Sequence, residues 1–241
     1  MEKQILGILG GLGPMSSAYF YEMITEHTKA ECDQDHIDIV LSSSATTPDR
    51  TGYILGNTED NPAPRMIEDA KKLVQFGCNV IAIPCNTAHY FYSELQENID
   101  VPIINIIYET LKYCADNGAK CIGIMATDGT VKTETYQRMA QQFGIRCLVP
   151  SSENQQRVMD IIYGSVKKGK PVDMREFNKV SAQLRKMGAD KIILGCTELS
   201  VIKRNYNLDS FYIDALEVLC WRSILHCGKE PIGFEDFDNE L

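Results

Sequence analysis

Short runs of β-branched and other apolar residues alternate along this chain with longer stretches in which apolar positions recur every three or four residues. The short runs are Gln4–Leu9, Ile37–Leu41, Asn79–Pro84, Pro102–Ile106, Lys120–Met125, Arg146–Val149 and Lys191–Leu194. Several are apolar throughout, as expected of parallel strands covered on both faces. Between them lie helix patterns. Phe20, Met23, Ile24 and His27 fall on one face, just after Pro14 and the candidate caps Ser16 and Ser17. Met66, Ile67, Ala70, Leu73 and Val74 form a second stripe, closed by Gly77. Gly118, Gly144 and Gly188 are placed to end later helices in a left-handed turn, and a last helix is expected over Asp214–His226. The βαβα order predicts an α/β fold with parallel sheets.

The chain also resembles itself. KQILGILGGLG (3–13) pairs with AKCIGIMATDG (119–129), and VIAIPCNT (80–87) with KIILGCT (191–197). Gly7 and Cys85 are 78 residues apart, Gly123 and Cys196 73. This duplication predicts two similar lobes, each a parallel sheet flanked by helices, related by a pseudo-twofold with the active site in the cleft between them. The first lobe is expected to be 1–105 plus 212–241, with the last helix folding back onto it, and the second 106–211.

Composition narrows the function. The 241 residues are 44% hydrophobic and 24% charged, so a sizeable core is available and wholesale disorder is excluded. No apolar run approaches the ~18 residues that cross a bilayer. MEKQILGILGGLGP is broken by glycines and reads as strand and turn, not a signal peptide, and FEDFDNEL carries no lipidation signal. Net charge is −9, which argues against nucleic-acid or anionic-membrane partners but leaves an anionic small substrate open. Nine cysteines, an odd number with no CxxC pair, suggest a reducing cytoplasm.

Two of these cysteines have polar escorts. Cys85, in PCNTAH, and Cys196, in LGCTEL, both end a strand and precede a helix, where open α/β sheets bind their ligands. Asn86, Thr87 and Thr197, with free amides at a helix start, suit a carboxylate, and the helix dipole is expected to lower the thiol pKa. Thiols facing each other across a cleft can remove an α-proton from one face of an amino acid and return one to the other. Cys32, Cys78, Cys114, Cys121, Cys147, Cys220 and Cys227 are assigned to packing, and the four histidines to structure or surface.

With GGLGP, PDRT (48–51), PCNTAH (84–89), MATDGT (125–130) and LGCTEL (194–199) in this order, the chain resembles the aspartate/glutamate racemase family over roughly residues 5–225. The resemblance implies a homodimer and racemisation of a small acidic amino acid without pyridoxal phosphate, metal or other cofactor. It carries over Cys85 and Cys196 as the catalytic pair. Arg50 matches a family arginine on the substrate carboxylate, and Lys167, with Lys168 as the neighbouring choice, matches a lysine near the second cysteine. Met15 and Ser17 match pocket-lining positions after GGxGP, and Thr127 and Thr130 the hydroxyl turn of the second lobe. Glu198, where glutamate racemases usually have His, points to the aspartate branch. Ser200 in place of Pro and Glu134 in place of a small residue depart from the pattern.

A dinucleotide site is disfavoured, because GxGxxG fails and Pro14 removes an amide. Cysteine and histidine spacing gives no four-ligand zinc set, and the hydrolase motif GxSxG is missing. Two alternatives remain open. One is another enzyme of the superfamily, of maleate isomerase, hydantoin racemase or arylmalonate decarboxylase type. The other is a non-catalytic carboxylate-binding protein.

Overall fold

The computed structural model describes residues 4–234; of FEDFDNEL, all but Phe234 lies outside that range. It contains two four-stranded parallel sheets. The first has the order β2-β1-β3-β4, from β1 (Ile5–Gly10), β2 (Asp38–Ser43), β3 (Val80–Ala82) and β4 (Ile103–Ile104). The second has the same order, β6-β5-β7-β8, from β5 (Cys121–Ala126), β6 (Arg146–Leu148), β7 (Lys191–Gly195) and β8 (Tyr212–Asp214). All seven expected strands form. The eighth, whose apolar run 211–213 is cut short by Ser210 and Asp214, pairs with β7, so the division at residue 211 needs correction: it would detach this strand from its own sheet.

The helices between the first strands are α1 (Pro14–His27), α2 (Arg50–Leu55), α3 (Ala63–Gln75), α4 (Tyr92–Glu97) and α5 (Ile106–Asp116). The second half has α6 (Asp128–Lys132), α7 (Thr135–Ala140), α8 (Ser152–Met159), α9 (Met174–Lys186), α10 (Thr197–Tyr206) and α11 (Ala215–His226). Gly77, Gly118, Gly144 and Gly188 all take positive φ, the conformation that stops a helix without a Cβ penalty. The expected cap of α1 is corrected. Gly13 is its N-cap, while the Ser17 hydroxyl donates to the Gly13 carbonyl and accepts the Gly11 amide, clasping the GGLGP turn from below. Gly11 has φ +85°, and a Cβ there would strike the backbone of Ser44.

Period-two alternation sorts the strands onto three core layers. Leu6, Ile8, Val80 and Ala82 face inward, as do Ile122, Ile124 and Ile193 of the second sheet, and these meet in one core shared by both lobes. Ile81 and Ile83 turn outward to pack with Met66 and Leu73 of α3. Ile192 and Leu194 do the same with Phe177 and Leu184 of α9. Gly7 and Gly123, paired in the repeat, are both pressed from the outside. A Cβ would lie 3.2 Å from Cys78 at one and 3.0 Å from Leu184 at the other.

The shared core is closed by the two helices that follow the last strand of each sheet. α5 leaves β4 and packs on α7, β8 and α11; α11 leaves β8 and packs on α1, β3 and β4. Each lobe's final helix therefore lies against the other lobe. The last helix packs on α1, β3 and β4 of the first lobe and also keeps contact with α10 of its own.

Candidate active site

Parallel strands of both sheets end at one cleft. Its walls include Arg50, Cys85, Asn86, Thr87, Thr127, Tyr163, Lys167, Cys196, Thr197 and Glu198. Both sulfurs are buried residues of this wall, one from the turn after β3 and one from the turn after β7. The hollow is narrow, about 20 Å³, room for one water and less than an amino acid needs. A larger hollow of about 650 Å³ lies between His36 and Cys227 and holds none of the expected residues.

Cys196 heads a chain of polar contacts. Its Sγ donates to Glu198 Oε2 at 2.9 Å, and Glu198 Oε1 lies 2.9 Å from Lys167 Nζ. Burial, and then the adjacent Glu198 carboxylate, push the Cys196 thiol well above its ordinary range, against a smaller opposing effect of Lys167. The expectation that the helix start would favour a thiolate is thus reversed at Cys196. The carboxylate two residues into α10 and the loss of solvent outweigh the dipole. Burial works against the Lys167 charge, but the attraction of Glu198 and its hydrogen bond raise this ammonium's pKa overall. Lys167, not Lys168, reaches the cleft. It does so because the chain leaves α8 through a π-helical turn, 160–165, and a short 3₁₀ turn, 166–168. Its ammonium sits 5.1 Å over the Tyr163 ring.

The first-lobe wall is polar and cross-braced. Thr87 Oγ1 is 2.9 Å from Thr127 Oγ1 and 3.1 Å from Thr130 Oγ1, and the last two are 3.2 Å apart, a hydroxyl triangle spanning the lobes. Tyr136 of α7 donates its hydroxyl to Asn86 Oδ1 at 2.6 Å, which leaves Asn86 Nδ2 buried with no partner. Arg50 is buried, not a surface loop arginine. Its terminal nitrogens donate to the carbonyls of Thr47, Pro48 and Leu12, and its Nε is buried without a partner. The fork expected to be open to a carboxylate is therefore largely taken up by backbone. Two residues of this wall thus carry a buried donor without a partner, Arg50 Nε and Asn86 Nδ2, each costly to leave bare.

Three expected lining residues stand elsewhere. Met15 is 79% exposed and off the cleft, because it occupies the outward face of the first turn of α1. Ser17 is buried beneath the GGLGP turn. Thr130 sits behind Thr127 in the triangle. Cys32, assigned to packing, is exposed and bonds Asp35. Leu12, Asp49, Thr51 and Tyr163 line the cleft without having been singled out. PDRT could have suggested Asp49 and Thr51 as neighbours of Arg50. Tyr163 lies four residues before Lys167, but no helical spacing foretells the π turn that brings both inward.

A profile of the family described as Asp/Glu/hydantoin racemase matches residues 9–222. Among curated proteins, the chain is 27% identical over 205 residues to a broad specificity amino-acid racemase, RacX, of Bacillus subtilis (strain 168), covering 82% of this chain and 87% of that one. Among solved structures, it superposes on the Picrophilus torridus aspartate racemase with TM-score 0.84 and 29% identity, covering 95% and 96% of the two chains. A glutamate racemase from Francisella tularensis, in complex with D-glutamate, shares the fold at TM-score 0.66 and 18% identity, over 94% of this chain and 82% of that one.

Proposed function

The chain belongs to the Asp/Glu/hydantoin racemase family, and we propose that it racemises an acidic amino acid, aspartate foremost, by a two-base mechanism without pyridoxal phosphate or metal. One observation carries the reading: Cys85 and Cys196, from equivalent turns of the two lobes, line the same cleft. One sulfur takes the α-proton as thiolate while the other, as thiol, protonates the opposite face, inverting the carbon. Cys196 rests as the thiol, its S–H donating a hydrogen bond to Glu198, and is set to act as the acid. For the opposite enantiomer, Glu198 accepts that proton and Lys167 balances the charge. Asn86 Nδ2 and Arg50 Nε, with Thr87 and Thr197, are the donors for the α-carboxylate, where negative charge grows as the carbanion forms.

Aspartate is favoured by the Picrophilus torridus likeness and by Glu198 after the second Cys-Thr. A broader amino-acid range is the second reading. It is favoured by the Bacillus subtilis relative and by the pairing of Lys167 with Glu198, which leaves little free positive charge for a second carboxylate. Cytoplasmic location and a homodimer belong to the same proposal.

The test is chiral analysis in deuterated water of each enantiomer of aspartate, glutamate and alanine. We expect inversion with α-deuteration, fastest on aspartate, insensitive to EDTA and hydroxylamine. Cys85→Ala and Cys196→Ala should each lower it by about 10²–10⁴-fold. Full rates in either variant would overturn the two-base scheme, dependence on added cofactor its chemistry, and deuteration of none of the substrates the enzymatic reading itself.

A further inference from the structure

Four residues beyond each cleft cysteine, a buried side chain is bonded to the start of a helix that crosses to the opposite lobe. After Cys85 that residue is His89. Its Nε2 accepts the Ile106 amide, where α5 begins, at 3.2 Å, and its Nδ1 lies 2.9 Å from the Cys85 carbonyl. An amide can only donate, so the proton is on Nδ1 and the ring is neutral. After Cys196 the residue is Ser200. Its hydroxyl donates to Asp214 Oδ1 at 2.7 Å, and the same oxygen caps α11 by accepting the Leu216 amide at 2.8 Å. His89, Ser200 and Asp214 are all buried, and none lines the cleft.

The two links differ in chemistry and agree in layout. Each joins the turn that bears one sulfur to the end of the neighbouring strand of its own sheet, β4 or β8, where a helix that packs on the other lobe begins: α5 on α7 and β8, α11 on α1, β3 and β4. An inversion at carbon needs both sulfurs near the α-carbon at once, at about 3–3.5 Å, and an error of 1 Å costs up to about 10²-fold. A turn anchored only through its own strand leaves its sulfur free to shift. A turn pinned as well to the end of the neighbouring strand, where a crossing helix begins, holds its sulfur in place.

We propose that His89 and the Ser200–Asp214 pair are matched positioning residues, each fixing the turn of its own cysteine on the strand end where a crossing helix begins. The functional consequence rests on the reading of Cys85 and Cys196 as the proton carriers; the geometry is tested without it. Iodoacetamide alkylation is followed separately at Cys85 and Cys196 by peptide mass spectrometry, with kcat, KM and Tm, in the intact chain and in Ser200→Ala, Ser200→Thr, His89→Phe and His89→Gln. Ser200→Ala should raise alkylation of Cys196 several-fold and leave Cys85 within about twofold. It should lower kcat about 10-fold at nearly constant KM, and Ser200→Thr should restore both. His89→Phe should do the converse, raising Cys85 alone. His89→Gln, which keeps an acceptor for the Ile106 amide, should recover part of the effect and serves as the arm if His89→Phe does not fold. Both cysteines changing together, or only Tm falling, would overturn the proposal. A parent chain without turnover would sink the proposed function and leave the alkylation pattern to decide the tethers.

Discussion

Glu198 stands between an acid and a cation, and its two oxygens serve them separately. The sign of each neighbour's influence on Cys196 follows. Removing the carboxylate charge in Glu198→Gln should shift the pH profile of Cys196 alkylation to lower pH, and removing the ammonium in Lys167→Met should shift it to higher pH. Equal profiles in the three proteins would detach Cys196 from both. Burial acts on two further residues with opposite consequences for folding. His89 is pushed down to about 4 by loss of solvent. Between about pH 6.5 and 4 the unfolded chain binds a proton that the folded chain refuses, so its contribution to stability falls on acidification, by on the order of 3 kcal/mol in full. Asp214 is raised to about 7, by burial first and Glu217 next. Over roughly pH 4–7 the folded chain holds a proton the unfolded chain has lost, so its contribution falls as pH rises. Denaturant melts across pH should show the difference from the parent declining with pH in His89→Gln and rising with pH in Asp214→Asn. A pair of flat differences would mean that neither group is desolvated as described.

At the scale of elements, the strands were legible because burial on both faces leaves uninterrupted apolar runs, and the glycine stops because only that residue takes positive φ cheaply. Elements set by tertiary contact were not. The apolar run of β8, 211–213, is too brief between Ser210 and Asp214 to stand out, and the π turn at 160–165 that leads into Lys167 has no sequence signal of its own. Cys85, Cys196, Asn86, Thr87 and Thr197 were readable from strand ends. The ties of Arg50 to backbone carbonyls and the outward turn of Met15 were not, since rotamers answer to neighbours distant in sequence. Glu134 is a departure that sequence flagged and structure explains. It enters α7 at φ +54°, a left-handed conformation costly for a residue with a Cβ. Its ion pair with Arg138, 3.6 Å and exposed, offers little in return. Glu134→Gly should stabilise the chain by about 0.5–1 kcal/mol, raising Tm by ~1–4 °C. A lower Tm would show that the carboxylate does more at this turn than its exposed pair with Arg138 accounts for.

Across the whole molecule, the inward faces of both sheets share one core, and α5 and α11 complete it from opposite sides. Neither lobe has a closed apolar interior without the other's helix. Residues 1–116 and 117–241, produced separately, should each lack a cooperative thermal transition and bind a hydrophobic dye, and mixing them should restore both the transition and the catalytic cleft. A sharp independent melt from either piece would make the crossing helices dispensable to folding.

The exchanged helices also carry a history. Two halves with one topology, each lending its last helix to the other, have the layout that a half-length ancestor would take on pairing with its own copy. That ancestral pair would have met its substrate with two identical sulfurs related by a true twofold axis. Joined in one chain, the two turns became free to diverge: Cys-Asn-Thr with a histidine behind it on one side, Cys-Thr-Glu with a serine and a buried carboxylate on the other. A mirror-symmetric reaction is thus served by two unlike acids, and mutation can tune the approach to one enantiomer's face while leaving the other's in place.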